Sequence, residues 1–183
     1  MKPAPSAREQ ELLELAYSYS LTHGLADLSL RPLATAIGSS PRVLLFLFGS
    51  KDGLIRALLT RARSDELALL KQLRYDEQPG LDAIALELWS WLSAPEHRPL
   101  MNLWVEAYGR SLVSPGGPWG DWARSTVDDW LELLEASQPD AESKHARARR
   151  TAVLALLRGA LLDLLATGDL DRTTRAVEQQ LVR

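Results

Sequence analysis

The chain has 183 residues, of which 46% are apolar and 25% charged, a balance that supplies a buried core and excludes a disordered or fibrous protein. It contains no cysteine, which excludes a disulfide framework, a thiol nucleophile and every thiolate metal site. A formal net charge of -3 sets a global field unfavourable to nucleic acid, so any phosphate contact must come from where the cations sit rather than from their sum.

Ser6, with Glu9 three residues on, is a capping pattern for a first helix. Behind it Leu12, Leu13, Leu15, Ala16 and Tyr19 recur at helical spacing as an expected buried stripe, and Gly24 is a natural stop. Ser29 precedes a short helical segment, LRPLATAI, with Pro32 in its first turn, and Gly38 closes it. After Ser39-Ser40 the run PRVLLFLF begins on a proline and ends at Gly49-Ser50. Ser50 can cap a fourth helix from Lys51 to about Tyr75, with Leu54, Leu58, Ala62 and Leu69 on its apolar face. Pro79-Gly80 opens LDAIALELWSWL, which stops at Ser93-Ala94-Pro95, and Pro99 to Leu112 forms the next helix. SPGGPWG, Ser114 to Gly120, is the clearest loop. Asp121 to Glu135 is helical by pattern, Ser137 to Asp140 breaks it, and Ser143 to Ala166 is long and rich in Ala and Leu. Gly168-Asp169 separates it from a last helix, Leu170 to Leu181, which Asp169 can cap. The expectation is an all-α chain of about nine helices with no room for a sheet.

The MKPAPSAREQ start has no apolar run behind Lys2, so no signal peptide is expected. The longest apolar candidate, Thr151 to Thr167, is broken by Arg158 and Asp163, so no membrane span is expected. Both point to a cytoplasmic protein.

The segment Leu28 to Leu54 carries the chemistry. Two short helices joined by a tight Gly-Ser-Ser turn are the elements of a helix-turn-helix, whose second helix enters the major groove of double-stranded DNA. Ser40 at the N-cap and Arg42 in the first turn project from the end of the helix that approaches DNA first. A hydroxyl and unpaired helix N–H groups suit phosphate, and arginine suits phosphate or a guanine edge. The candidate DNA contacts are Arg31, Thr35, Ser39, Ser40, Arg42 and Lys51. Over residues 1–56 the cations Lys2, Arg8, Arg31, Arg42, Lys51 and Arg56 outnumber Glu9, Glu11, Glu14, Asp27 and Asp52 by only one.

GLADLSLRPLATAIGSSPRVLLFLFGSKDGLIRALL resembles the N-terminal signature of the TetR-type family of bacterial transcriptional regulators. The residues that carry the resemblance are Gly24, Leu28, Leu30, Arg31, Leu33, Ala34, Gly38, Phe48, Ser50, Lys51, Asp52 and Leu54. It implies a three-helix DNA-binding domain over residues 1–52 and a helical ligand-sensing and dimerisation domain over 53–183. The implied activity is that of a ligand-responsive repressor that binds a palindromic operator as a homodimer. One departure stands out. Where the family has a tyrosine and a histidine before the signature phenylalanine, this chain has Leu45 and Leu47, so two phosphate contacts are absent and RVLLFLF is unusually apolar for a reading helix. Either fewer side chains read the groove or part of this surface is covered.

The six tryptophans all lie between Trp89 and Trp130, inside the implied sensing region. They can fill a helical core, or, with neighbours, line a cavity for an apolar or aromatic effector. The candidate ligand residues are Trp89, Met101, Trp104, Glu106, Tyr108 and Trp122. Trp89 and Trp91 are two apart and cannot share a helix face. For the dimer, Leu154, Leu157, Leu161 and Leu165 recur at helical spacing on a helix with apolar surface on more than one side, and Gly159 permits close approach, so pairing through the last two helices is expected. The basic run Lys144 to Arg150 is expected to be a solvated face.

No enzyme is expected. The three histidines have no metal-ligand spacing, and neither a nucleophile elbow nor a glycine-rich phosphate loop occurs. No cofactor or metal is implied. The rival reading is a helical interaction protein that keeps the regulator fold without strong specific DNA binding, and Leu45 and Leu47 motivate it.

Overall fold

The computed structural model describes residues 6–25, 27–73, 80–114 and 116–181. Among them run nine α-helices in chain order: α1 (Ala7–His23), α2 (Leu30–Ala36), α3 (Pro41–Phe48), α4 (Lys51–Leu73), α5 (Leu81–Ser93), α6 (Arg98–Val113), α7 (Trp122–Ala136), α8 (Lys144–Thr167) and α9 (Leu170–Leu181), with a single 3-10 turn, Pro95–His97, leading into α6. The described residues contain no strand, as the helical periodicity and short breaks require. The expected end of α4 at Tyr75 and the side chain of Leu69 lie outside the described residues.

The caps form where the sequence puts them. The Ser6, Ser40, Ser50 and Ser143 hydroxyls accept from the N–H of Glu9, Val43, Gly53 and Ala146, and the Asp169 carboxylate accepts from the N–H of Arg172. Each satisfies one orphan donor of a first turn.

The chain divides into two compact units, residues 6–65 with 102–123, and residues 66–101 with 124–181. In the first, α1 buries Leu12, Ala16, Tyr17 and Ser20. The expected stripe is rotated: Leu15 is exposed and Tyr19, half-buried, stacks on His23 at 3.9 Å. Counting round the helix, Leu15 and Tyr19 fall on the far side of Leu12 from Ala16 and Ser20, and the buried arc closes on Tyr17 instead. Leu33, Ala34, Leu44 and Phe48 from α2 and α3 join Leu54, Ile55, Leu58, Leu59 and Ala62 of α4 as core residues.

Polar contacts tie α1 to α4. The Tyr17 hydroxyl donates to Asp65 at 2.8 Å. Arg61 donates to Glu14 at 2.6 Å and also to Asp65, and its guanidinium lies 4.8 Å from the centre of the Tyr17 ring.

The second unit is built on α5, α8 and α9, which pack on one another. Leu88, Trp89, Met101, Trp130, Leu133, Leu134, Leu157, Leu161 and Val177 lie in its core. Buried polar groups are matched rather than stranded. The Trp89 indole N–H donates to the Thr174 hydroxyl at 3.0 Å, and that of Trp130 donates to the buried Glu66 carboxylate. Arg150, also buried, donates to Glu135 at 3.0 Å and to the carbonyl of Ala141 at 2.6 Å. Arg149 pairs with Asp82 at 2.8 Å. The basic run is therefore solvated at Lys144, His145 and Arg147 but structural at its end. Sequence alone missed this because the partners of Arg149 and Arg150 come from α5 and α7.

Candidate nucleic-acid interface and sensing residues

The turn between α2 and α3 is fixed by its backbone. Gly38 sits at φ +64, a conformation that a side chain resists, and the N–H of Ser39 donates back to the carbonyl of Ala34 at 2.8 Å. Pro41 then opens α3 without wasting a donor. At its other end Gly53 lies against α3: a Cβ there would stand 2.0 Å from the carbonyl oxygen of Phe48. Only glycine lets α4 start so close.

Arg31, Thr35, Ser40, Arg42 and Lys51 are all exposed. No ion pair to Arg31, Arg42 or Lys51 occurs among the described residues. Thr35 uses its hydroxyl proton on the carbonyl of Arg31 at 3.1 Å, and Ser40 accepts the Val43 N–H. Ser39 differs from expectation. The residue is partly exposed, but its hydroxyl oxygen is buried with no partner among the described residues.

The apolar character of α3 has two sides. Leu44 and Phe48, four residues apart, are buried; Val43 is 38% exposed, Leu45 42% and Phe46 85%. Of the run RVLLFLF, the described residues therefore cover Leu44 and Phe48 and leave Val43, Leu45 and Phe46 exposed. Phe46 and Val43 are the residues that the sequence reading did not single out, although the four-residue step from Leu44 to Phe48 already puts Phe46 on the other side.

The candidate sensing residues are drawn from both units. Trp89 and Met101 are buried in the core of the second unit, whereas Trp104, Glu106, Tyr108 and Trp122 belong to the first. There Trp104 stacks on Tyr108, ring centres 4.9 Å apart. The Glu106 carboxylate accepts the N–H of Leu25 at 2.8 Å, just past the end of α1. Of the neighbouring tryptophans, Trp89 is buried and Trp91 is partly buried, stacked on His97 at 4.0 Å. One groove of the second unit lies between the start of α5 and the α7–α8 connection, about 440 Å³ in volume, lined by Asp82, Ser137, Gln138, His145 and Arg149 among others. None of the six candidate sensing residues lines it.

The expected pairing residues also shift. Leu154, Leu157 and Leu161 are buried in their own unit, and Leu165 packs half-buried against it. The leucine stripe faces α5 and α9, which a single chain supplies. The outward stripe of α8 is Ala148, Ala152, Ala155, Gly159, Leu162 and Ala166, all exposed, so Gly159 alone of the five candidates lies on it.

No family model matches the sequence, and no curated protein matches it. Solved structures do match in fold. A transcriptional regulator from Rhodococcus sp. RHA1 superposes with a TM-score of 0.78 at 20% identity, over 94% of this chain and 93% of that one. A TetR transcription regulator from Haloarcula marismortui superposes with a TM-score of 0.74 at 17% identity, again over 94% and 93%. GusR of Salmonella enterica gives 0.71 at 20% identity, over 98% of this chain and 95% of that one. The all-helical fold is thus that of TetR-type transcriptional regulators along nearly the whole chain.

Proposed function

We propose that this chain is a TetR-type transcriptional regulator, a homodimer that binds a palindromic operator through α2 and α3 and acts as a repressor by occupying it. Such a protein works in the cytoplasm, beside the chromosome. The observation that carries the reading is the set of exposed cations Arg31, Arg42 and Lys51, without intramolecular carboxylate partners among the described residues, around a helix-turn-helix with a capped and open second helix. In a dimer that set is repeated by the two-fold axis, as a palindromic site requires.

Residues 1–52 are the reading part in this proposal, and 53–183 sense and dimerise. Pairing falls to the outward face of α8, around Gly159 and Leu162, together with α9. The sensing surface is narrowed to Trp104, Glu106, Tyr108 and Trp122 in the first unit, for an apolar or aromatic effector. The support for that choice is the bond from Glu106 to the Leu25 N–H, by which a movement of α6 reaches the junction of α1 and α2. An effector acts only to the extent that it binds the DNA-competent and incompetent arrangements unequally.

The test is selection of duplexes from a random-sequence library, followed by binding across a salt series, with Arg42→Ala alongside. If each of about three cations per head meets a phosphate, a dimer gives a slope of log K against log salt of roughly -5. Loss of Arg42 lowers affinity, and reduces that slope if its contact is to phosphate. Weak binding that is equal for all duplexes and indifferent to Arg42 refutes the reading. It would leave the interaction-protein alternative, which the exposed Val43, Leu45 and Phe46 favour.

A further inference from the structure

Arg42 is the only polar side chain within α3. If α3 lies in the major groove, hydrogen-bond readout from the body of that helix comes from a single residue, and further discrimination must come from apolar contact. The exposed apolar side chains are placed for it. Arg42 and Phe46 are four residues apart and Val43 and Phe46 three, so the three share one face of the helix, and Phe46 is 85% exposed. The exposed cations Arg31 on α2, Arg42 on α3 and Lys51 at the start of α4 suit a polyanion rather than an apolar protein surface. The one apolar group on a base-pair edge in the major groove is the thymine 5-methyl.

We propose that Phe46, with Val43 beside it, is a specificity-determining residue that reads thymine 5-methyl groups next to the position contacted by Arg42. The inference rests on the reading of this chain as a DNA-binding regulator and adds what its site selects. A phenyl ring over one or two thymine methyls removes apolar area on both partners from water. Neither cytosine nor a purine offers a methyl there. The recognised half-site therefore carries thymines beside the Arg42 contact, and the two leucines at positions 45 and 47 lose phosphate contacts while this face gains base contacts.

The experiment uses the full-length protein and the duplex it selects from a random library. Each thymine is replaced in turn by deoxyuridine, which deletes the methyl and leaves every hydrogen-bonding group in place. Wild-type affinity is expected to fall about fourfold for each contacted methyl, the factor for one buried methyl group. Phe46→Ala is expected to bind thymine and uracil duplexes alike, with the salt dependence of wild type. Phe46→Leu is expected to keep part of the discrimination. Because Phe46 is exposed, both variants are expected to keep the fold, which their thermal unfolding checks. Wild-type affinity unchanged at every deoxyuridine position, or discrimination that survives in Phe46→Ala, overturns this inference while leaving the regulator reading standing. Selection that returns no preferred duplex overturns both.

Discussion

Replacing Gly53 by alanine sets two effects of opposite sign against each other. Gly53 is in the first turn of α4, and alanine in a helix is favoured over glycine by about 0.5–1 kcal/mol. Against that, the added Cβ would stand 2.0 Å from the Phe48 carbonyl oxygen, a backbone atom that cannot rotate away. Forcing atoms into a packed site costs about 1–3 kcal/mol, and here the relief must come from moving the end of α3 or the start of α4. The expected net effect of Gly53→Ala is a loss of about 1 kcal/mol, the difference of the mid-range values of those terms. Gly109 on α6 is the control, since a Cβ there meets nothing within 4 Å; Gly109→Ala is expected to gain about 0.5–1 kcal/mol. Urea unfolding followed by circular dichroism measures both, with unchanged m as the sign that only stability moved. A Gly53→Ala midpoint at or above wild type would mean that propensity outweighs the contact, and the argument that α3 and α4 are locked by close approach would fall. The same variant reports on the proposed function, because the shift that relieves the clash moves α3 or the start of α4.

Two further outcomes follow from the polar and pairing contacts. Burial first, then the hydrogen bond to Asp65 and the charge of that carboxylate, push the Tyr17 phenol well above the ordinary tyrosine range. A folded pKa above the unfolded value of about 10 means that its contribution is intact below that pH and is lost as pH rises beyond it. Titration followed by tyrosinate absorbance is therefore expected to show one phenol that ionises only with unfolding, absent in Tyr17→Phe; a Tyr17 that ionises near pH 10 in the native protein contradicts the network. On α8, Leu162→Glu is expected to dissociate the proposed dimer in sedimentation while keeping the helical signal, since Leu162 is 51% exposed and a charge there costs little in the single chain. A Leu162→Glu protein that remains a dimer refutes the outward α8 face as the pairing surface.

The helices were legible because their signals are local. Proline at the start of α3, serine or aspartate caps, and Gly24, Gly38 and Gly168 beyond the ends are decided by backbone geometry within a few residues. What sequence could not assign was which apolar residue faces what. Leu154, Leu157 and Leu161 look the same from periodicity whether they meet α5 and α9 or a second copy, and the chain's own helices take them first. The tryptophans were grouped by position in the chain, and the contacts assign Trp89 and Met101 to the second unit and Trp104 and Trp122 to the first. Ser39 and Ser40 are adjacent and chemically identical; one oxygen is buried and the other caps α3, a difference set by the direction of the backbone alone.

The charge distribution follows the same logic and removes the apparent obstacle of a negative chain. Many of the arginines are matched within the molecule: Arg61 to Glu14 and Asp65, Arg149 to Asp82, Arg150 to Glu135, and Arg172 to Asp163, whose carboxyl is thereby held below its usual range. A matched pair contributes little field at a distance, because the two charges nearly cancel beyond their separation. By contrast, the exposed Arg31, Arg42 and Lys51, on α2, α3 and the start of α4, have no such partner among the described residues. Beyond a Debye length of about 8 Å at physiological salt, the rest of the chain's charge is largely screened, so a phosphate responds to the charges near it rather than to the net charge of the chain. With these few cations beside the exposed Val43, Leu45 and Phe46, the proposed reading head is suited to modest electrostatic attraction and to discrimination that depends on contact with the bases.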